Sequence, residues 1–290
     1  MNALKNNSSK VDSFIKGIPI LIWLFGLVII PLTFTFIMSF YSSDGSIISK
    51  SLSLTNYKTF FTDALYFKIL FKTIRLALLI SILSILAAYP VAYLVSFKIK
   101  RGRNALFMLS IIPLWVSYLV RIIAWRSILG NKGLINNFLL SIGLIDSPLS
   151  FLLYNQFAIA ITLTYICIPF VFIPVYTALE KIPRNILEAS NDLGAGEIKS
   201  FFNIVLPLSI PGLITGFIFS FIISLGDYII PSQLGGIKGM MFGNLIWSQF
   251  GFAYNWPMGA ALGFVLFAIS VAILGSTSKY GSTEGGFLGE

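Results

Sequence analysis

The chain has 290 residues, of which 57% are hydrophobic and 11% are charged, and its mean hydropathy is +0.88. This composition excludes a soluble globular domain and indicates a protein of the lipid bilayer. The formal net charge of +9 does not indicate a nucleic-acid-binding protein, because a basic balance on so apolar a chain reflects the Lys and Arg residues that hold membrane loops in place.

Six apolar runs are each long enough to cross a hydrocarbon core of about 30 Å as a helix. The predicted spans are 17–41, 76–97, 104–128, 150–179, 205–230 and about 255–276. The first run is too long for the apolar region of a signal peptide, and no small-residue cleavage site follows it. The spans divide the chain into a cytoplasmic tail (1–15), a first transmembrane helix (16–41), an external loop (42–66) with a short helix near 57–61, a core of five transmembrane helices (67–277) and a flexible tail (278–290).

The orientation of the chain is predicted from a dense basic cluster at the end of the second span. It comprises Lys98, Lys100, Arg101 and Arg103. Positive charge next to a span marks the cytoplasmic side, and an even number of spans puts both termini on one side. We therefore expect both termini and the loop 181–204 to face the cytoplasm.

The loop 181–204 is predicted to form two short amphipathic helices, since its apolar residues recur at helical spacing. They are Ile186, Ala189, Ser190 and Leu193 in the first helix and Ile198, Phe201, Phe202 and Val205 in the second. Pro183 favours the start of the first helix, and Gly194 favours its end because glycine adopts the left-handed conformation that closes a helix. The apolar faces must be covered by the lipid interface, by the protein's own core or by a partner.

Residues that could perform chemistry are nearly absent. The chain has no histidine and one cysteine, Cys167, which lies in an apolar run and is predicted to be a small buried side chain. We therefore predict no catalytic residue, no metal site and no intramolecular disulfide. The sequence contains no G-x-x-x-x-G-K-[ST] loop, so an energy source from ATP has to lie in another chain.

Asp227 is the one acidic residue within or at the edge of a predicted span. A carboxylate at membrane depth costs about 2.5–3.5 kcal/mol, so it usually faces a cavity or pairs with a cation. Asp227 could contact a positively charged substrate, pair with Arg121 or reach water at the outer interface. Arg121 could line the same path, form a structural ion pair or snorkel to the interface. Trp115 and Tyr118 could form a cation–π wall or belong to the interfacial aromatic belt, and Tyr228 completes the candidate substrate path.

The loop also carries a motif at fixed spacing. Its residues are Glu188, Ala189, Gly194, Ile204, Leu206 and Pro207, with Ser190 at a position where alanine is usual. On this motif the chain resembles the membrane subunits of binding-protein-dependent ABC importers. A whole-chain likeness over roughly residues 20–276 is to the spermidine/putrescine branch of these permeases, and it is carried by 51–57, 89–93, 112–121, 130–136, 234–236 and 256–261.

The resemblance implies an all-α polytopic membrane protein with six transmembrane helices and the type I ABC importer (MetI-like) permease fold. It implies that the loop is a coupling helix that contacts an ATPase through Glu188, Ala189, Ser190, Asp192 and Gly194. The implied partners are an ATP-binding-cassette ATPase dimer that binds the ATP, a second permease subunit, an extracytoplasmic solute-binding protein and membrane lipid. No cofactor of this chain and no nucleic acid are implied. A permease for ferric iron, phosphonate or another organic cation is the alternative, followed by a secondary transporter or a channel.

Overall fold

The computed structural model describes Pro19, residues 22–44 and residues 47–281. The predicted cytoplasmic tail (1–15), the start of the predicted first span and most of the predicted flexible tail (278–290) lie outside the described residues. The described chain is helical apart from one small hairpin, as the all-α prediction requires. It divides into two compact units, Met1–Thr62 with Ser248–Val265 and Asp63–Trp247 with Leu266–Glu290.

The helices are numbered in chain order. They are α1 (Ile30–Met38), α2 (Thr55–Thr62), α3 (Ala64–Tyr93), α4 (Arg103–Ile111), α5 (Tyr118–Leu129), α6 (Leu134–Ser141), α7 (Gln156–Glu180), α8 (Arg184–Asp192), α9 (Glu197–Ser200), α10 (Leu206–Gly226), α11 (Ile229–Leu234), α12 (Phe242–Gly251) and α13 (Trp256–Gly281). Single π-helical turns occupy Phe25–Ile29, Leu94–Lys98 and Phe201–Val205, and 3-10 turns occupy Ile112–Trp115, Ser150–Leu152 and Ile237–Gly239. The strands β1 (Ser42–Asp44) and β2 (Ile47–Ser49) pair antiparallel.

The first unit holds the segment that was predicted as a loop with a short helix. The helix is present as α2, but the β1–β2 hairpin was not predicted, because strands of three residues leave no alternating pattern long enough to recognise. Asn56 ties the segment together by donating from Nδ2 to the carbonyl oxygens of Ser39 at 2.9 Å and Tyr41 at 2.8 Å. The hydroxyls of Ser39 and Tyr57 are also bonded at 2.8 Å.

Four helical segments of the described chain are long and apolar enough to cross a membrane. They are Ala64–Lys98, Gln156–Glu180, Glu197–Gly226 and Trp256–Thr277. The segments Arg103–Trp115 and Tyr118–Ser141 add a fifth span only as a pair bent by 95°, and the apolar helix Ile22–Met38 is shorter. Each predicted span therefore falls on a helix, but the count of six is not fully reproduced.

The predicted third span (104–128) is not one continuous helix. A 3-10 turn that contains Pro113 ends the first part, and Val116 and Ser117 then adopt extended backbone angles before α5 begins. Proline removes a backbone donor and clashes with the preceding turn, which explains why the helix breaks here. The break sets Tyr118 at the first turn of a new helix.

The second unit is built on close packing of α3, α7 and α10. In α10, Gly212 and Gly216 form a Gly-x-x-x-Gly pair against α7. A Cβ added at Gly212 would lie 2.5 Å from the Cβ of Ala178, and one at Gly216 would lie 3.0 Å from a methyl group of Val171. Only glycine permits this approach of the two backbones, and the approach fixes the position of both ends of α10.

Candidate functional site

The loop between α7 and α10 forms the two predicted helices, α8 and α9. Gly194 has a φ of +79°, which is the left-handed conformation predicted for the end of the first helix. The turn is closed by backbone bonds from Leu193 N to Ala189 O at 3.1 Å and from Ala195 N to Ser190 O at 3.0 Å. The chain therefore reverses sharply between α8 and α9 at the glycine that the sequence indicated.

One contact within this loop and two contacts to neighbouring segments hold it in place. The hydroxyls of Ser190 and Ser200 are bonded at 2.8 Å in a buried position, which joins α8 to α9. Lys98 Nζ pairs with Glu197 Oε1 at 2.7 Å. Leu187 packs against the buried cluster that contains Leu179 and Val205. The loop is therefore held at several points and can move with the membrane helices as a rigid element.

The outer face of the loop is apolar. Leu193 is 88% exposed and Ile198 is 77% exposed, and Ile186 and Phe202 are exposed beside them. A concave surface of about 540 Å³ lies along this face, lined by Asn185, Ile186, Ala189, Ser190, Leu193, Ala195, Lys199 and Ile204. Not all of the predicted apolar face is free, because Val205 is buried and Phe201 packs against the cluster around it.

The acidic residues of the motif also reach the surface. Glu188 and Asp192 are exposed, and Glu188 lines a smaller cavity of about 220 Å³ together with Lys98, Arg184 and Glu197. The loop thus presents carboxylates on one side of α8 and apolar side chains on the other. Such a mixed face suits a protein surface better than an anionic lipid surface.

The basic cluster that predicted the orientation lies at the same end of the unit as this loop. Lys98 pairs with Glu197, and Arg103 pairs with Glu180 at the end of α7 and donates to the Tyr176 hydroxyl at 2.8 Å. These contacts place Lys98 and Arg103 at the same end of α7 as the loop 181–204.

Asp227 lies at the other end of α10, at its C-terminus. Counted from Leu206, it is about 30 Å along the helix axis from the loop. The half-buried carboxylate accepts hydrogen bonds from the Tyr118 hydroxyl and from the backbone N–H of Ile230, the latter at 2.9 Å. Gly243 lets α12 approach closely, because a Cβ there would lie 2.8 Å from the carbonyl oxygen of Asp227. The carboxylate therefore sits in a tight turn and is held by neutral donors.

The surroundings of Arg121 in the described chain differ from both structural roles expected for it, and its role stays a prediction. Its side chain is 9% exposed, so it does not snorkel to the interface. Its Nε and Nη1 atoms are buried without a hydrogen-bond partner, and within the described chain it forms no ion pair with Asp227. The guanidinium carbon instead lies 5.6 Å from the centroid of the Tyr118 ring. Tyr118 thus contacts both side chains, through its hydroxyl at Asp227 and through its ring at Arg121.

The other two residues of the predicted path are placed differently. Trp115 is 75% exposed, in the 3-10 turn before the helix break. The ring of Tyr228 stacks on Trp247, with centroids 5.0 Å apart and an interplanar angle of 16°. Of the five predicted residues, the described contacts bring together only Asp227, Tyr118 and Arg121.

One polar residue of this site was missed by sequence reasoning. Asn244 Nδ2 donates to the carbonyl oxygen of Tyr228 at 2.8 Å and to the Ser232 hydroxyl at 2.7 Å, which locks the turn after Asp227. The sequence feature that could have identified Asn244 is its amide side chain beside Gly243, at the start of an otherwise apolar segment.

In the part of the chain that the structure describes, no three His, Cys, Asp or Glu side chains come together in a group that could hold a metal ion. Cys167 is fully buried, as predicted, with its Sγ 3.7 Å from the Ser224 hydroxyl. The candidate site therefore consists of two parts, an exposed loop at one end of α10 and a carboxylate at the other.

Comparison with known proteins shows the family of the chain. The family described as binding-protein-dependent transport system inner membrane component matches residues 80–280. The spermidine/putrescine transport system permease protein PotB of Haemophilus influenzae is 32% identical over 263 residues, which cover 90% of each chain. Its namesake in Escherichia coli is 34% identical over 223 residues, which cover 77% of this chain and 80% of that one.

A solved structure shares the fold. The crystal structure of a bacterial alginate ABC transporter, in complex with an alginate pentasaccharide-bound periplasmic protein, contains a chain that superposes with a TM-score of 0.74. The match covers 96% of this chain and 98% of that chain at 17% sequence identity, so the likeness concerns the fold alone.

Proposed function

Because this chain belongs to the family of binding-protein-dependent transport system inner membrane components, we propose that it is the permease subunit of an ATP-binding-cassette importer for polyamines. The chain forms half of a translocation path in the cell inner membrane and is not itself an enzyme. Its relatives named as spermidine/putrescine permeases, each at least 32% identical, support this substrate class.

Asp227 is the observation that carries the substrate class. Its carboxylate is half-buried at the end of an apolar helix, and the bonds that hold it come from a phenol and a backbone N–H. A carboxylate in such surroundings has no positively charged partner. An ammonium group of a polyamine supplies that partner. The Tyr118 ring beside it adds an aromatic face for the alkyl chain and its charge.

Energy reaches the path through the α8–α9 loop. We assign Leu193, Ile198 and the concave surface that Leu193 lines to the contact with a partner ATPase, which binds and hydrolyses the ATP. Glu188 and Asp192 make the charged contacts, Ala189 and Ser190 allow close approach and Gly194 sets the bend. Because the loop is anchored at several points, closure of the ATPase moves α7 and α10 together.

Two further partners complete the assembly. Asp227 and Tyr118 are only half-buried in this chain, and a second permease subunit is needed to close the path around them. A solute-binding protein outside the membrane delivers the polyamine, since Asp227 lies at the end of α10 remote from the ATPase loop. In this arrangement both termini face the cytoplasm.

The test is ATP-dependent uptake of labelled spermidine into vesicles that contain this chain with the permease, ATPase and binding protein encoded beside it. Putrescine, ferric iron and an amino acid serve as competitors. We expect putrescine alone to reduce uptake. Inhibition by ferric iron, or ATP hydrolysis without spermidine uptake, would contradict the polyamine assignment while leaving the importer assignment intact.

A further inference from the structure

The cluster around Asp227 holds a cation and an anion that do not meet. Arg121 is buried with two unpartnered guanidinium nitrogens, and Asp227 is held by neutral donors. An uncompensated buried charge is unfavourable, and an ion pair between the two side chains would relieve both at once. The arrangement described here is therefore one of two that the same residues can form.

Tyr118 is the residue that keeps the two charges apart. Its hydroxyl donates to Asp227, while its ring lies under the guanidinium carbon of Arg121 at 5.6 Å. Tyr118 and Arg121 lie one turn apart on α5, and Asp227 ends α10. Because Tyr118 contacts both side chains, loss of its bond to Asp227 would leave the carboxylate free to pair with Arg121 instead.

We propose that Arg121 is the internal cation that competes with the polyamine for Asp227 and expels the polyamine when the path opens inward. In the arrangement described here, Tyr118 holds the carboxylate available to an ammonium group. In the alternative arrangement, Arg121 replaces that ammonium group, so the substrate loses its principal anionic contact. This inference rests on the proposed function, because it requires a cationic substrate.

The neighbouring arginine on the same helix cannot play this part. Arg126 is exposed, and its guanidinium nitrogens already bond to Gln233 Oε1 at 3.2 Å and to the Tyr154 hydroxyl at 3.5 Å. It lies more than a turn beyond Arg121 and makes no contact with Tyr118 or Asp227 among the described residues. Arg126→Gln is thus a matched control for a change at Arg121.

The first variant is Arg121→Gln, studied in the complete permease–ATPase complex in nanodiscs. Equilibrium binding of labelled spermidine is measured without the binding protein, and uptake turnover is measured in vesicles with it. Loss of the competitor should leave spermidine binding at least as tight as in the wild type, because the arrangement described here already keeps Arg121 off Asp227, and it should slow turnover because nothing displaces the bound substrate. Arg121→Lys keeps the charge and should bind close to the wild type, as should Arg126→Gln.

A second variant keeps the test decisive if Arg121→Gln fails to insert. Tyr118→Phe retains the ring but removes the hydroxyl that holds Asp227, so the carboxylate should relax onto Arg121 and spermidine should bind about tenfold more weakly. Tyr165→Phe, on a ring that packs against Trp125 at 5.6 Å, is its control and should leave binding unchanged. Adding Arg121→Gln to Tyr118→Phe should restore the affinity.

The outcomes separate this inference from the proposed function. Spermidine binding that is weakened in Arg121→Gln, or unchanged in Tyr118→Phe, would overturn the competition by Arg121. A slower turnover in both Arg121→Gln and Arg121→Lys, with unaltered affinity, would also overturn it, since that pattern reveals a structural role. A wild-type complex that binds no spermidine would overturn the proposed function itself.

Discussion

The α8–α9 loop and the Asp227 cluster depart from the usual distribution of polarity in opposite directions. The loop exposes apolar side chains, with Leu193 at 88% and Ile198 at 77%, whereas the cluster buries an arginine at 9% exposure among apolar helices. Each departure is unfavourable in the isolated chain. In the proposed assembly an apolar surface of the partner ATPase offsets the first, and within the chain the Tyr118 ring, 5.6 Å from the guanidinium carbon of Arg121, offsets part of the second.

Among the changes that test this comparison, Asp227→Asn is expected to have the largest effect, a loss of spermidine uptake. The variant keeps the acceptor for Tyr118 but removes the charge, and a hydrogen bond to a charged group contributes about 1.5–3 kcal/mol, so uptake of labelled spermidine at low concentration should fall about 10- to 100-fold. The control is Asp146→Asn, since Asp146 is an exposed carboxylate elsewhere in the same unit. Equal loss in both variants would remove the special role of Asp227.

The next largest effect is expected in the α8–α9 loop, at the other end of α10, and it concerns binding of the ATPase. Leu193→Glu places a charge on the apolar face of the loop, and loss of one buried leucine contact costs about 1.5–3 kcal/mol. Co-purification of the ATPase subunit with the permease should therefore fall about tenfold or more, while membrane insertion is unchanged.

The matched control for this change is Ile237→Glu, since Ile237 is 96% exposed in a turn outside the loop. It should leave ATPase co-purification intact. Retention of the ATPase by Leu193→Glu would show that the apolar face of the loop is covered by something else.

A smaller effect tests whether the two regions are joined by a rigid α10. Gly212→Ala places a Cβ 2.5 Å from the Cβ of Ala178, and overpacking of this kind costs about 1–3 kcal/mol. We expect a lower unfolding temperature for the purified permease. Gly263→Ala adds the same methyl group to a helix where nothing lies within 4 Å, and it should leave the unfolding temperature unchanged or slightly raised.

The smallest effect is expected for the exposed ion pair of the loop. Glu197→Gln removes the partner of Lys98, but both side chains reach water, at 76% and 42% exposure. Exposed pairs contribute about 0–1 kcal/mol, so the unfolding temperature should change little and the change should vanish at high salt. A large loss that persists in salt would mean that this contact, rather than the Ser190–Ser200 bond and the Leu187 packing, anchors the loop.

The two regions also differ in how far the sequence predicted them. The loop was predicted almost completely, including the helix end at Gly194, because helical spacing and a glycine cap are local signals. The cluster was predicted only as separate residues, because its contacts join α5, α10 and the turn after α10 across more than a hundred residues. The absence of an ion pair between Arg121 and Asp227 could not be foreseen, since it depends on where the helix break places Tyr118.

Prediction of the membrane spans from the sequence was also incomplete. Hydropathy located the four described helices that are long and apolar enough to cross a membrane, but it did not detect the 95° bend after Trp115 or the start of α3 at Ala64. The early start is explained by Asp63, whose side chain accepts the N–H of Leu65 at 2.8 Å and caps the helix ahead of its basic residues. Capping by a single side chain is a local event that a long hydropathy window averages away.

The most direct test of the account is the amount of spermidine imported per ATP hydrolysed, measured in the same vesicles for the wild type, Leu193→Glu and Asp227→Asn. We predict that Leu193→Glu loses ATP hydrolysis and uptake together, because the ATPase no longer seats on the loop. Asp227→Asn should keep basal ATP hydrolysis and lose uptake. If both variants instead lower hydrolysis and uptake in the same proportion, then the loop and the carboxylate do not serve the separate functions assigned to them.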